Sequence, residues 1–268
     1  MMRVLLIRGM LVGVLAGLLS FGVARVLGEP PVDRAIAYEE QMVAGHVAGA
    51  GEAGHHHGTT TATVHDHGTA EEPVSRDTQR GIGLLTATVV YGAALGGLFA
   101  IVFGFVYGRV GPWDARTTAL LLAVAAFLTV YLVPTIKYPA NPPAVGIDGT
   151  IVYRTQLFFA MIAIAIAAMI VAVMVAKASA GARGVWDATL IGGAVFIGLV
   201  ILAAMLMPTL DEVPANFPAT VLAQFRMASL AIQATLWATL GLVFGRLAES
   251  ALRDAPQREL PSIRTSSL

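Results

Sequence analysis

The sequence predicts an all-α integral membrane protein, a six-helix bundle built from three tandem helical hairpins with both termini cytoplasmic. Three observations predict it. Mean hydropathy is +0.74 over 268 residues, and charged residues make up 13% of the chain, about half the roughly 25% usual in soluble domains. Six apolar stretches, at 4–27, 83–108, 116–134, 155–176, 187–207 and 227–247, each approach the roughly 20 residues that a helix needs to cross hydrocarbon. Landmarks in the second half of the chain recur in order, as tandem hairpins require.

The first span (residues 1–28) opens with Arg3 and Arg8 ahead of an apolar run. That pattern also resembles a secretory signal, but the run is long for one and "GVARVLGEPP" is a poor cleavage site. Residues 29–80 are expected to form an extracytoplasmic loop, with a disordered histidine-rich tract at 44–72. A second helix follows at 81–108, whose "YGAALGGLFAIVFGFVYG" is rich in the small residues that let membrane helices approach closely. Hairpins at 113–176 and 186–247 and a cytoplasmic tail at 248–268 complete the chain.

Orientation follows from lysine and arginine. With the N-terminus inside, the inner segments carry Arg3, Arg8, Arg109, Arg116, Lys177, Arg183, Arg246, Arg253, Arg258 and Arg264 against few acids. The outer segments are acidic. The expected location is the cell (inner, cytoplasmic) membrane.

The repeat joins "GPWDARTTALLLAVAAFLTVYLVPTIKYPANPP" to "GVWDATLIGGAVFIGLVILAAMLMPTLDEVPANFP". Each passes from Trp-Asp-Ala through one span to Pro-Thr (Pro134 or Pro208), then to Pro-Ala-Asn-x-Pro, and re-enters behind an arginine, Arg154 or Arg226. Proline cannot continue the helical hydrogen-bond ladder, so Pro134 and Pro208 are expected to end their helices. The outer ends also carry Glu29, Asp33, Glu39, Glu40, Arg80, Asp211 and Glu212. With the repeat-matched Asn141 and Asn216, these residues are candidates for connector turns or for an outer vestibule. Gln156, Gln224, Gln233, Met205 and Met207 are further polar or thioether candidates near the spans.

All six histidines lie between His46 and His67, in "HVAGAGEAGHHHGTTTATVHDH". Imidazole is the commonest metal ligand, and His46, His55, His56, His57, His65 and His67, with Asp66, form a nitrogen-and-oxygen donor set. With no cysteine in the chain, that set suits cobalt, nickel, zinc or copper and not magnesium or calcium. The tract is too poor in large apolar residues to fold alone. It fits a capture antenna better than a translocation site. Zero net charge gives no electrostatic case for nucleic-acid binding. There is no P-loop motif and no catalytic pair within the spans, so neither ATPase nor enzyme activity is expected, and no permanently bound cofactor.

The segments "EPPVDRAIAYEE", "SRDTQRGIGL" and "VPTIKYPANPPAVG" followed by "YR" resemble the CbtA type of predicted cobalt transporter subunit over almost the whole chain. The resembling positions are Glu29, Pro30, Pro31, Glu39 and Glu40, then Arg76, Asp77, Gln79 and Arg80, then Pro134, Lys137, Pro139, Asn141, Pro142 and Pro143. The resemblance implies cobalt uptake for cobalamin synthesis, and a small single-span partner of the CbtB type with its own histidine motif. The histidine tract stands as an insertion between those motifs. Nickel, zinc or copper transport, and a non-transporting accessory protein that loads a separate permease, are the alternatives.

Overall fold

The structure is a computed structural model that describes residues 2–50, 75–146 and 148–254. Among these residues every regular element is helical. Five helices are long and apolar enough to cross a membrane: α1 (Met2–Ala44), α2 (Arg76–Val106), α3 (Ala115–Lys137), α4 (Ile151–Leu206) and α5 (Ala219–Arg253).

The closest packing joins α1 to α2. Gly9, Gly13 and Gly17 on α1 face Gly96, Gly92 and Thr88 on α2, in antiparallel order. A Cβ added at Gly13 would lie 2.1 Å from the Gly92 carbonyl oxygen, and one at Gly96 would lie 2.1 Å from the Gly9 oxygen. Lipid offers no hydrophobic drive for helix pairing, so such backbone-to-backbone contact is the main source of attraction. Helix α5 lies antiparallel to both α1 and α3. Ser20 Oγ donates to the Ile232 carbonyl at 3.3 Å, and Gly241 and Gly245 of α5 rest on Ala123 and Arg116 of α3. Phe103 and Phe244 are fully buried where α2 meets α5, with rings edge-to-face at 5.2 Å.

The expected spans 155–176 and 187–207 both lie in α4. Gly184, at φ 82° and ψ 165°, breaks that helix into two arms. Only glycine takes this conformation readily. The arms fold back on each other, since a Cβ at Gly192 would meet Ala172 O and Ala176 Cβ, both at 2.9 Å. The pair attaches to the rest mainly at the C-terminal end of α3, where Val133, Tyr138, Met161, Ala165 and Ala203 form a buried cluster.

Three expectations about helix ends need correction. Pro134 does not stop α3, which continues to Lys137. A π-helical turn at Phe127–Leu132 precedes the proline, and the Val133 N–H bonds five residues back to Leu128. The widened turn takes up the missing donor and ring. The same device, a π turn at Ala24–Gly28, lets helix continue through Pro30 and Pro31. Residues 29–50 are therefore helical rather than loop, including residues 44–50, the start of the tract expected to be disordered. The second helix correspondingly begins at Arg76, capped by Ser75, and not near residue 81. At Pro208 the expectation holds, because helix stops at Leu206 and Met207 is extended.

Candidate functional site

The C-terminal end of α3, the two ends of α4 and the N-terminal end of α5 meet at the proline-rich segments 138–150 and 207–218. Pro142 is fully buried there. The turn that follows it is closed by Val145 N–H donating to Pro142 O at 3.2 Å, with Ala144 in the left-handed region at φ 68°. Tyr138 is buried, and its hydroxyl donates to the Pro208 carbonyl at 2.8 Å, tying the two segments together. The continuation of α1 covers them from above. Its Ala35 packs with Val145, Phe217 and Val221, and Tyr38 meets Phe217 edge-to-face at 5.2 Å.

Under this cover lie the polar groups. Glu212 is the most deeply buried carboxylate of the cluster, with its side chain 5% exposed. It accepts from Arg154 Nη1 at 3.2 Å and from the Thr150 hydroxyl. Arg154 Nη2 also donates to Pro139 O. Arg226 comes from the other side, with Nε 3.3 Å from Ala140 O. The Asn141 amide sits between the two arginines. With its oxygen toward Arg154 Nη1 (2.9 Å) its nitrogen donates to Ala140 O (3.3 Å); in the opposite orientation its oxygen lies 3.4 Å from Arg226 Nη2. Two cavities open here. One of about 610 Å³ includes Glu39, Tyr131, Tyr138, Arg154 and Glu212 in its wall, and one of about 250 Å³ includes Tyr138, Asn141, Arg154, Asp211, Glu212 and Arg226.

Of the residues expected at an outer vestibule, Asn141, Arg154 and Arg226 thus come together, with Glu39 on the wall of the larger cavity. Glu29 and Asp33 form a separate group on α1, both paired with Arg76 Nη2, at 3.0 and 3.3 Å. Arg80 pairs with Asp77 in its own turn. Glu40 is exposed. Asn216 is exposed on a turn and lines neither cavity, unlike its repeat-matched Asn141. Met205 is 79% exposed, and Met207 packs against the Tyr138 cluster, so neither thioether faces a cavity. His46 lies on the helical continuation Glu29–Ala50. His55, His56, His57, His65, Asp66 and His67 fall outside the described residues. Tyr138 and Thr150 are members of the candidate site that sequence reasoning missed. Tyr138 had a signal, a hydroxylated aromatic flanking the Pro-Ala-Asn-Pro-Pro run.

The chemistry of this cluster is that of a lock. Guanidinium forks bind carboxylates and other oxyanions and repel cations. Among the described residues, no three His, Cys, Asp or Glu side chains come together to hold a metal ion. The cluster instead ties the start of α4 to the segment after it, and α5 to the loop after α3.

The family profile for CbtA, described as a probable cobalt transporter subunit, matches residues 2–249. The chain belongs to the CbtA family. The matched residues include α1 to α4 and most of α5, and with them Glu29, Arg76, Arg154 and Glu212. At family level the association is with cobalt transport, as one subunit of a transporter. No curated protein and no solved structure gives a match.

Proposed function

We propose that this CbtA-family chain is the membrane subunit of a cobalt uptake system serving cobalamin synthesis. It crosses the inner membrane six times, with each arm of α4 making one pass and both termini in the cytoplasm. The observation that carries the reading is the family match along residues 2–249 of a chain built from long apolar helices. The lengths agree. Helix α4, at 56 residues, would measure about 84 Å if straight, far more than the roughly 30 Å of hydrocarbon, and the reversal at Gly184 divides it into two membrane-length arms.

In this reading the histidine tract faces outward and captures the ion before transfer. Its ligands are His46, His55, His56, His57, His65 and His67, with Asp66. The partner is a small single-span subunit of the CbtB type with a histidine motif. Nickel, zinc and copper are the competing ions for such a donor set. A second reading, an accessory protein that loads a separate permease, is favoured by the absence of a three-ligand cluster among the described residues.

The test is radioactive cobalt uptake in cells lacking their own cobalt importer, carrying this chain with and without the single-span subunit. Transport predicts saturable uptake above empty cells when both are present. Binding of cobalt to the cells without accumulation inside them would sink transport and leave the accessory reading.

A further inference from the structure

We infer that the cavity between Arg154 and Arg226 is an oxyanion site that takes a phosphate group. The argument starts from Arg226. It is half-buried on α5 and borders the 250 Å³ cavity. Among the described residues its hydrogen bonds go to neutral oxygens, Ala140 O at 3.3 Å and Asn141 Oδ1 at 3.4 Å, and both are long. If the Asn141 amide turns its oxygen to Arg154, the second is lost. Among the described residues no carboxylate lies within salt-bridge distance of Arg226, whereas Arg154 has Glu212.

A guanidinium has five N–H donors in a planar fork, so most of those on Arg226 remain free. A half-buried cation without a counter-ion is costly, and a like charge beside it raises the cost. The lining holds four charges, Arg154, Arg226, Asp211 and Glu212. Glu212 is committed to Arg154 and Thr150. Asp211 is exposed and forms no ion pair with Arg226. Arg226 is therefore the half-buried cation of the lining that lacks an ion-pair partner among the described residues, and Asn141 adds an amide that presents either its oxygen or its nitrogen. An anion with several oxygens, bridging the two forks, answers all of these features.

The depth of Arg226 narrows the ligand. It stands seven residues into α5, about 10 Å along the helix, at the level where outer-leaflet headgroups meet the chain if the helix spans. The phosphate comes either from a phospholipid headgroup or from free phosphate.

The experiment uses the full-length protein, purified in nonionic detergent. Inorganic phosphate is titrated against chloride at matched ionic strength while the melting temperature is read. In parallel, native mass spectrometry counts phosphatidylglycerol retained after reconstitution and re-extraction. Wild type is expected to show a saturable rise with phosphate, or retained phosphatidylglycerol, and which of the two appears identifies the source. Arg226→Gln is expected to weaken binding about ten-fold or more, as loss of charge-assisted hydrogen bonds does. Asp211→Asn keeps every donor and removes the opposing charge, so it is expected to tighten binding, and it decides the matter if Arg226→Gln fails to fold. No rise and no retained phospholipid with wild type would overturn the site. So would equal binding by wild type and Arg226→Gln, or no tightening in Asp211→Asn.

Discussion

Alanine in place of Gly13 gives the sharpest test of how the bundle holds together. In a helix interior this exchange normally stabilises, by about 0.5–1 kcal/mol in water, because glycine loses more backbone entropy on ordering. At Gly13 the new methyl carbon would sit 2.1 Å from the Gly92 oxygen and 2.8 Å from the Gly92 carbonyl carbon. Both are backbone atoms and neither can swing away. Restoring van der Waals distance requires the helices to part by about 1 Å, and a gap of that size forfeits roughly a quarter to a half of each dispersion well it opens. The loss spreads to the neighbouring contacts of Gly9 and Gly17 on the same face. The expected cost is about 1–3 kcal/mol, the range for overpacking a close contact. Gly22, on the same helix, is the control, because nothing lies within 4 Å of its added Cβ. Reversible unfolding in mixed micelles, or melting in detergent, should show Gly22→Ala neutral to stabilising and Gly13→Ala destabilising. The opposite sign at the two sites is the prediction. If Gly13→Ala matches Gly22→Ala, the α1–α2 contact is looser than described and the reasoning fails.

Glu212→Gln leaves Arg154 without its carboxylate in a half-buried setting, so it should cost about 1.5–3 kcal/mol in detergent melts, with Asp211→Asn as the exposed comparison. Gly184→Ala forces a side chain into a glycine-only conformation and should destabilise by about 1–3 kcal/mol, with faster tryptic cleavage at Arg183 as an independent readout. Asp114 caps α3 through Thr117 N–H at 2.8 Å. Its bonds to Thr117 hold its carboxyl below the usual range. The depressed value means that the stabilisation is present above the unfolded-state pKa and lost as pH falls through the folded one; Asp114→Asn should match wild type near neutrality and lack this part of the acid-range loss. Deleting residues 51–72 should lower cobalt uptake at limiting metal and spare it at saturation. Capture by the intact tract should weaken as pH falls through roughly 6.5, where imidazole protonates. Equal loss at both metal concentrations would show the tract to be part of the path.

Hydropathy exposed the apolar segments because the bilayer imposes length and polarity directly on the chain. The small-residue content of "YGAALGGLFA" pointed to close packing, but the partner stripe Gly9, Gly13, Gly17 became visible only through the contact. Helix ends were less legible for a specific reason. Proline blocks a bond to the residue four back, and reading Pro134 and Pro30 as terminators assumes an unbroken α ladder. Two π turns relax that assumption, and nothing local in "ARVLG" or "FLTVYL" announces them. The arginines were found from the repeat, but their destinations were not. Arg154 and Arg226 occupy matching positions in sequence, yet both reach the same loop, Pro139–Asn141. Asn216 is left exposed, on a segment one residue longer between Pro208 and Pro214 than its counterpart between Pro134 and Pro139.

The charges around the proline-rich segments divide between two sides, and the division bears on where a cation is tolerated. The continuation of α1 carries Glu29, Asp33, Glu39 and Glu40 against Arg34, with Glu29 and Asp33 paired to Arg76, and leads into the histidine tract. The starts of α4 and α5 carry Arg154 and Arg226, with only one buried carboxylate between them. A divalent ion about 7 Å from one guanidinium is repelled by roughly 1 kcal/mol in bulk water and about 5 kcal/mol at an effective dielectric of 20. The second arginine nearly doubles that, while Glu212 cancels about one of the two. An oxyanion in the smaller cavity would cancel the other. Asp211, exposed in the wall of the same cavity, offsets part of this repulsion, so the arginine side is the costlier approach for a free divalent ion and the Glu39 and Glu40 flank of α1 the less costly one. Charge reversal on that flank tests the point. Glu39→Lys with Glu40→Lys, both exposed and outside every ion pair of the described residues, should slow cobalt capture more steeply at low ionic strength than at high, with folding unchanged. A salt-independent effect, or none, would place the approach elsewhere.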